Sequence, residues 1–210
     1  MNVLVTGAAG YIGSVLVNKL LNKGYNVIGI DCLMYGGESL IGVYNHPNFK
    51  FYKADIRDID TLKPILEQVD AIVHLAAIVG DPACAKKPDL ARSINWEGSV
   101  NLLNAAHNVK RIKRFIFAST CSNYGKMEGN NFITEDSPLK PVSLYAELKV
   151  QFENHLLQND YRADFCPTAL RFATVYGLSP RMRFDLTVNE FTRDAALGRE
   201  LVIFGEQFWR

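Results

Sequence analysis

Val3-Leu4-Val5 runs without a break into Gly7-Ala8-Ala9-Gly10-Tyr11-Ile12-Gly13, and the next residues, SVLVNKLLNKG, keep a helical period. A short apolar strand, a glycine-rich turn and a helix in one unit leave little freedom of architecture, because the helix must fold back over the sheet that holds the strand. Further apolar runs rich in Val, Ile and Phe recur: NVIGI at 26–30, FKFY at 49–52, AIVHLA at 71–76, FIFAS at 115–119 and PTALRF at 167–172. Helix-like stretches lie near 12–23, 59–69, 88–108 and 143–159. This alternation predicts an α/β fold, a doubly wound parallel sheet covered by helices on both faces. After Gly177 the pattern changes: LSPRMRFD reads as a loop, TVNEFTRDAALGR as a helix and LVIFG as a strand before the chain stops at Arg210. We divide it into a dinucleotide-binding domain at 1–177 and the start of a smaller lobe at 178–210.

Composition removes several classes of function. The 210 residues suit one domain, or one domain plus a fragment, with a sizeable core. Net charge is +1 with both signs interleaved, so no electrostatic footprint for nucleic acid or an anionic membrane exists. Cys32, Cys84, Cys121 and Cys166 are scattered, without metal-ligand spacing, which indicates neither a zinc site nor a disulfide framework and fits a reducing cytoplasm. The first residues carry no basic leader, and no stretch approaches the roughly 18 apolar residues of a membrane span. The expectation is a soluble, unprocessed protein.

The glycine-rich turn predicts a phosphate site. Gly7, Gly10 and Gly13 permit a tight turn and close backbone approach, while the helix that starts at Tyr11-Ile12 points free N–H groups and its positive dipole end at an anion. Asp31 follows the second strand, at the separation expected for a carboxylate that accepts ribose hydroxyls; the alternative is a strand-end turn residue. No Arg stands close after it, and a carboxylate would repel a 2′-phosphate, so NAD is favoured over NADP. Asp55-Ile56, after the third strand, is placed to receive the adenine amino group, and Leu75-Ala76-Ala77, after the fourth, offers small residues for backbone approach. His74, flanked by Val73 and Leu75, reads as a packed histidine rather than a catalyst.

Tyr145 and Lys149, four apart in SLYAELK, share one helix face. An ammonium about 4 Å from a phenol is worth roughly 4 kcal/mol at an effective dielectric of about 20, enough to lower the Tyr pKa by roughly three units. Alone the spacing is weak, and a solvated surface pair is the alternative.

TGAAGYIG, Asp31, ADIRD, HLAA, NWEGS, FASTCSNYG, YAELK and LRFATVYG, in this order, resemble the extended short-chain dehydrogenase/reductases, specifically the NAD-dependent epimerase/dehydratases that act on nucleotide sugars. The resemblance covers nearly the whole chain. It implies that Tyr145 is the general acid or base, that Lys149 holds the nicotinamide ribose and lowers the Tyr pKa, and that Thr120 hydrogen-bonds the sugar oxygen being oxidised. Asn95, in NWEGS, looks like the family's site-supporting Asn at the cofactor. In 4,6-dehydratases of the family two carboxylates follow the Thr; Cys121 and Ser122 stand here, which argues against dehydration and leaves Ser122 facing substrate. Cys121 reads either as a small core-facing thiol or as a group that moves carbon-bound protons.

Other positions depart from the family pattern. Asn123 replaces an apolar residue, and Thr174 replaces an Asn in the substrate region. Asn189 resembles an Asn that helps hold a nucleotide diphosphate, with a helix cap as the alternative, and Arg181 and Arg183 read as phosphate contacts or as solvated loop residues. The resemblance further implies a C-terminal lobe that closes over the nucleotide, of which only the start is present, and a homodimer formed through the Tyr-bearing helix and the stretch at 88–108. The expected activity is C4 epimerisation of a nucleotide-diphosphate sugar through a transient keto sugar. A net C4 dehydrogenase or ketoreductase, and a non-catalytic NAD-binding module, are the alternatives.

Overall fold

The computed structural model describes residues 1–126 and 132–203. Six strands, β1 (Asn2–Thr6), β2 (Asn26–Asp31), β3 (Phe49–Lys53), β4 (Ala71–His74), β5 (Arg114–Thr120) and β6 (Cys166–Phe172), form one parallel sheet in the order β3-β2-β1-β4-β5-β6. The helices are α1 (Tyr11–Asn22), α2 (Ile59–Leu66), α3 (Asp81–Lys86), α4 (Pro88–Arg92), α5 (Ser99–Asn108), α6 (Leu144–Gln158) and α7 (Thr187–Ala196). The sheet is the doubly wound arrangement that the alternation predicts. The chain leaves β1 toward β2 and β3, then crosses back to build β4, β5 and β6 on the other side. The order therefore reverses between β1 and β4, and a crevice opens there at the carboxyl ends of the strands.

Alternation along the central strands feeds two cores. Leu4 and Ile72 pack with Leu62, Leu66, Leu102, Phe115 and Phe152 beneath α2, α5 and α6, while Val3 and Val5 pack with Val17, Leu21 and Val27 beneath α1. A sheet buried on both faces is what a parallel sheet requires.

One expectation is refined and one corrected. The helix-like stretch at 88–108 is helical throughout, as α4, a π-helical turn over Ser93–Gly98, and α5, and is preceded by the separate α3. At the end of the π-helical turn a Cβ on Gly98 would lie 3.0 Å from Cγ of Arg57 and 3.2 Å from Cγ1 of Ile56, so the helix packs closely on these side chains, and Asn95 in the wider turn is buried. The run LVIFG is not a strand in its described part: Leu201, Val202 and Ile203 are exposed and pair with no strand, because an apolar run becomes a strand only where a sheet edge receives it. Phe204, Gly205 and the QFWR segment lie outside the described residues. No helix among the described residues is long and apolar enough to cross a membrane.

Candidate active site

The glycine turn joins β1 to α1 at the crevice. Gly7 has φ +72°, and a Cβ there would stand 2.8 Å from the backbone nitrogen of Ala76; a Cβ on Gly13 would stand 2.0 Å from the Gly7 carbonyl oxygen. The first contact presses the turn against Leu75-Ala76, and the second presses α1 against the turn, so neither position has room for any side chain. Gly10 begins α1 without a side-chain cap, which leaves the N–H groups of the first helical turn for an outside acceptor. Such a cradle fits a dinucleotide's pyrophosphate.

Asp31 braces the same turn: its Oδ2 accepts the Ala9 N–H at 3.1 Å and its Oδ1 the Leu33 N–H at 2.8 Å. Leu33 takes φ +58° to make that turn. Asp55 is gripped by Arg57, with Nη2 2.6 Å from Oδ2 and Nε 3.0 Å from Oδ1, which holds its carboxyl below the ordinary range; Ile56 beside it is buried.

His74 ends β4 fully buried, as the sequence suggests, with Nδ1 2.8 Å from the Thr6 hydroxyl and Nε2 2.9 Å from the Ser99 hydroxyl. Phe115, Phe117 and Phe152 surround it. Burial, and next the Lys149 charge, lower its pKa to about 3, so it is a neutral strut. Thr6 also accepts the Ala76 N–H at 3.2 Å, which ties the ends of β1 and β4 together at the crevice. Asn95 clamps the same loop further on: its Oδ1 accepts the Ile78 N–H and its Nδ2 donates to the Ile78 carbonyl, both at 2.8 Å.

Tyr145 and Lys149 lie in α6, whose cap Ser143 accepts the Ala146 N–H at 3.3 Å and donates to Asp81 at 2.6 Å. Lys149 is buried, donates to the Ala118 carbonyl at 2.7 Å, and stands 4.5 Å from the Phe117 ring centre and 5.8 Å from that of Tyr145. Burial brings its pKa down to about 8. The expected lowering of the Tyr145 pKa is not found. Burial raises the phenol to about 12; Arg183 and the facing Thr120 side chain pull it down by less, and Lys149 spends its closest contact on the Ala118 carbonyl. Thr120 ends β5 beside this pair, its Oγ1 accepting the Ser122 N–H at 3.2 Å, with Ser122 and Cys121 half-buried in the turn that follows.

The segment after β6 docks on α1. The Tyr11 hydroxyl donates to the Gly177 carbonyl at 2.7 Å and accepts from Asn189 Nδ2 at 3.0 Å, and Ser179 Oγ donates to the Tyr11 carbonyl at 2.7 Å. Asn189 also accepts the Gly177 N–H and donates to the Arg183 carbonyl, both at 2.9 Å. It is not the cap of α7, a position held by Leu186. Arg183 pairs with Asp185, and Arg181 stacks over Tyr35 at 4.7 Å. Thr174 is exposed beyond the end of β6.

Sequence reasoning missed two features. One is this Tyr11–Asn189 tie, for which no local signal exists. The other is a buried cluster of Ser119, Asn123, Glu153 and Arg171, and a signal was present: Glu153 continues the spacing of Tyr145 and Lys149 by one more helical turn.

The chain matches the model of the NAD dependent epimerase/dehydratase family over residues 3–210. It is 36% identical over 181 residues to a UDP-glucose 4-epimerase of Lactobacillus helveticus, covering 85% of this chain and 53% of that protein. Among solved structures it resembles the Thermotoga maritima UDP-glucose 4-epimerase with UDP-glucose (TM-score 0.86, 33% identity) and the Bacillus cereus UDP-glucuronic acid 4-epimerase in complex with NAD (TM-score 0.85, 32% identity). Each comparison covers 98% of this chain and 66% of the other. Against the first curated relatives the chain spans between 53% and 66% of their length. The glycine cradle, the reversal of strand order and the matched family model agree: the chain belongs to the NAD-dependent epimerase/dehydratase family.

Proposed function

We propose that the chain carries the cofactor half of an NAD-dependent nucleotide-sugar 4-epimerase, which oxidises a sugar C4 hydroxyl to a ketone and reduces it again from the other face. The observation that carries this reading is the meeting of Thr120, Tyr145 and Lys149 at the carboxyl end of β5, next to the crevice that the glycine turn opens. Gly7, Gly10, Gly13 and the N–H groups at Tyr11 and Ile12 take the pyrophosphate; Asp31 takes the adenosine ribose; Asp55, Ile56 and the backbone at Leu75, Ala76 and Ala77 line the rest, with Asn95 holding that loop. NAD, when bound, accepts and returns a hydride. Beyond its bond to the Ala118 carbonyl, Lys149 has two further N–H donors, which would hold the nicotinamide ribose when NAD is bound. Tyr145 carries the proton of the C4 hydroxyl, and Thr120 holds the oxygen. Burial favours the protonated phenol and the Arg183 charge favours the ionised one; Tyr145 accepts the C4 proton in its ionised form as the hydroxyl is oxidised and gives the same proton back as the ketone is reduced. Ser122 and Thr174 face the nucleotide sugar in this reading, Asn189 acts on it only by holding the segment after β6 in place, and the four unpaired thiols suit a reducing cytoplasm.

UDP-, GDP-, CDP- and dTDP-sugars given to the full-length protein provide the test. One pair of C4 epimers should interconvert with no lasting rise in NADH absorbance. A stable keto sugar would establish the net dehydrogenase instead, and absence of any sugar-nucleotide binding would establish an NAD-binding module. The same proposal includes a homodimer through α5 and α6, expected to show twice the chain mass in light scattering; a monomer at working concentration removes that part.

A further inference from the structure

We propose that Glu153 and Ser119 are positioning residues that set Thr120 against Tyr145, forming the last rung of a ladder between α6 and β5. This inference rests on the catalytic reading of Thr120 and Tyr145 given above.

Tyr145, Lys149 and Glu153 occur at successive turns on one face of α6. Each engages one of three consecutive residues at the end of β5. Tyr145 faces Thr120, Lys149 donates to the Ala118 carbonyl, and Glu153 Oε2 accepts the Ser119 hydroxyl at 2.5 Å. Four donors converge on the Glu153 carboxylate, which is 1% exposed: Ser119 Oγ, Asn123 Nδ2 at 3.2 Å, and Arg171 through Nε at 2.8 Å and Nη2 at 2.5 Å. Sheet register explains the convergence, because Ser119 of β5 lies directly beside Arg171 of β6 and their side chains share a face. Asn123 also donates to Ser119 Oγ at 2.9 Å, and Arg171 donates to the Tyr124 hydroxyl at 2.8 Å. The carboxylate is thus bonded directly to Ser119, the residue before Thr120, and to Asn123, and it reaches Tyr124 through Arg171. These bonds fix the residues on both sides of Thr120 against α6. Buried ion pairs often add little net folding energy over apolar residues of similar volume, so the role assigned to the cluster is geometric.

The test uses Glu153→Gln, which keeps the shape but turns an amide N–H toward a donor, and Ser119→Ala, which deletes one rung and leaves the Glu153–Arg171 pair. Assayed in the full-length protein with NAD and whichever of the UDP-, GDP-, CDP- and dTDP-sugars the parent interconverts, each should lower kcat by roughly 10- to 100-fold with KM changed less than about twofold, the pattern of a misplaced reacting group. The NMR titration of Lys149, which needs no turnover, should move upward from about 8 as the loosened ladder admits water. Wild-type kcat in the folded variants, or a loss that only tracks the folded fraction while the Lys149 midpoint stays put, overturns the proposal. If Glu153→Gln does not fold, Ser119→Ala decides alone. If Tyr145→Phe keeps full turnover, or the parent turns over no substrate, the catalytic reading has failed, and an unmoved Lys149 midpoint would then sink the ladder separately.

Discussion

Tyr145→Phe is expected to lower kcat by roughly 10²- to 10⁴-fold, the range for losing a positioned proton-transfer group. The change removes one oxygen and little else. Tyr145 packs its ring against the cluster of Ile56, Ile78, Cys84, Ala91, Ile94 and Leu148, which a phenyl ring fills equally well. Neither the cap of α6 at Ser143 nor the Lys149 bond to Ala118 involves the phenol. Stability and NAD affinity should therefore stay near the parent's, and calorimetry of NAD binding alongside the sugar assay separates chemistry from binding. A Phe variant that turns over like the parent would remove Tyr145 as the proton carrier.

Mild acid should destabilise the fold through one residue. His74 has its pKa lowered to about 3 in the folded chain against an unfolded value near 6.5, because burial among three Phe rings disfavours the imidazolium. Between those values the unfolded chain binds a proton that the folded chain refuses, so stability rises with pH there and is lost as pH falls below about 6.5. The slope is about 1.4 kcal/mol per pH unit, and across the whole window the loss is about 5 kcal/mol. Several aspartates, among them Asp55 and Asp70, have lowered values and lose their stabilising contribution as pH falls further, so the range from pH 6.5 to about 4.5 isolates the histidine best. Urea unfolding at several pH values should show this slope in the parent and about one proton less in His74→Gln. Equal slopes in both would mean that His74 titrates normally in the folded protein.

The parts legible in the sequence are those whose cause is local. The glycine turn announces itself because close approach at Gly7 and Gly13 excludes every other residue, and the strands because a sheet covered on both faces needs continuous apolar runs. The position of His74 as a packed residue followed from its neighbours Val73 and Leu75. Tyr145 and Lys149 were legible as a shared helix face, but not the sign of the phenol's pKa shift. That sign depends on how deeply the ring is buried, which Ile56, Ile78, Cys84 and their neighbours set, and on which partner claims the ammonium, which Ala118 of β5 sets. Asn123 shows the same limit: in sequence it is a polar residue in an apolar place, and its reason appears only where Ser119 and Glu153 arrive from other elements. The π-helical turn within 88–108 escaped because the residues packed against it at Gly98, Arg57 and Ile56, lie about 40 positions upstream.

The bond between Tyr11 and the segment after β6 has a consequence for the order in which the molecule is assembled. Tyr11 leaves the ribosome early, yet its hydroxyl partners stand 166 and 178 positions later. The phosphate cradle is therefore among the first parts synthesised and among the last completed, since so long a loop must close before these contacts form. A chain interrupted between Phe172 and Gly177 would have its glycine turn and all six strands of the sheet, but the tyrosine at the mouth of the turn would be without either partner.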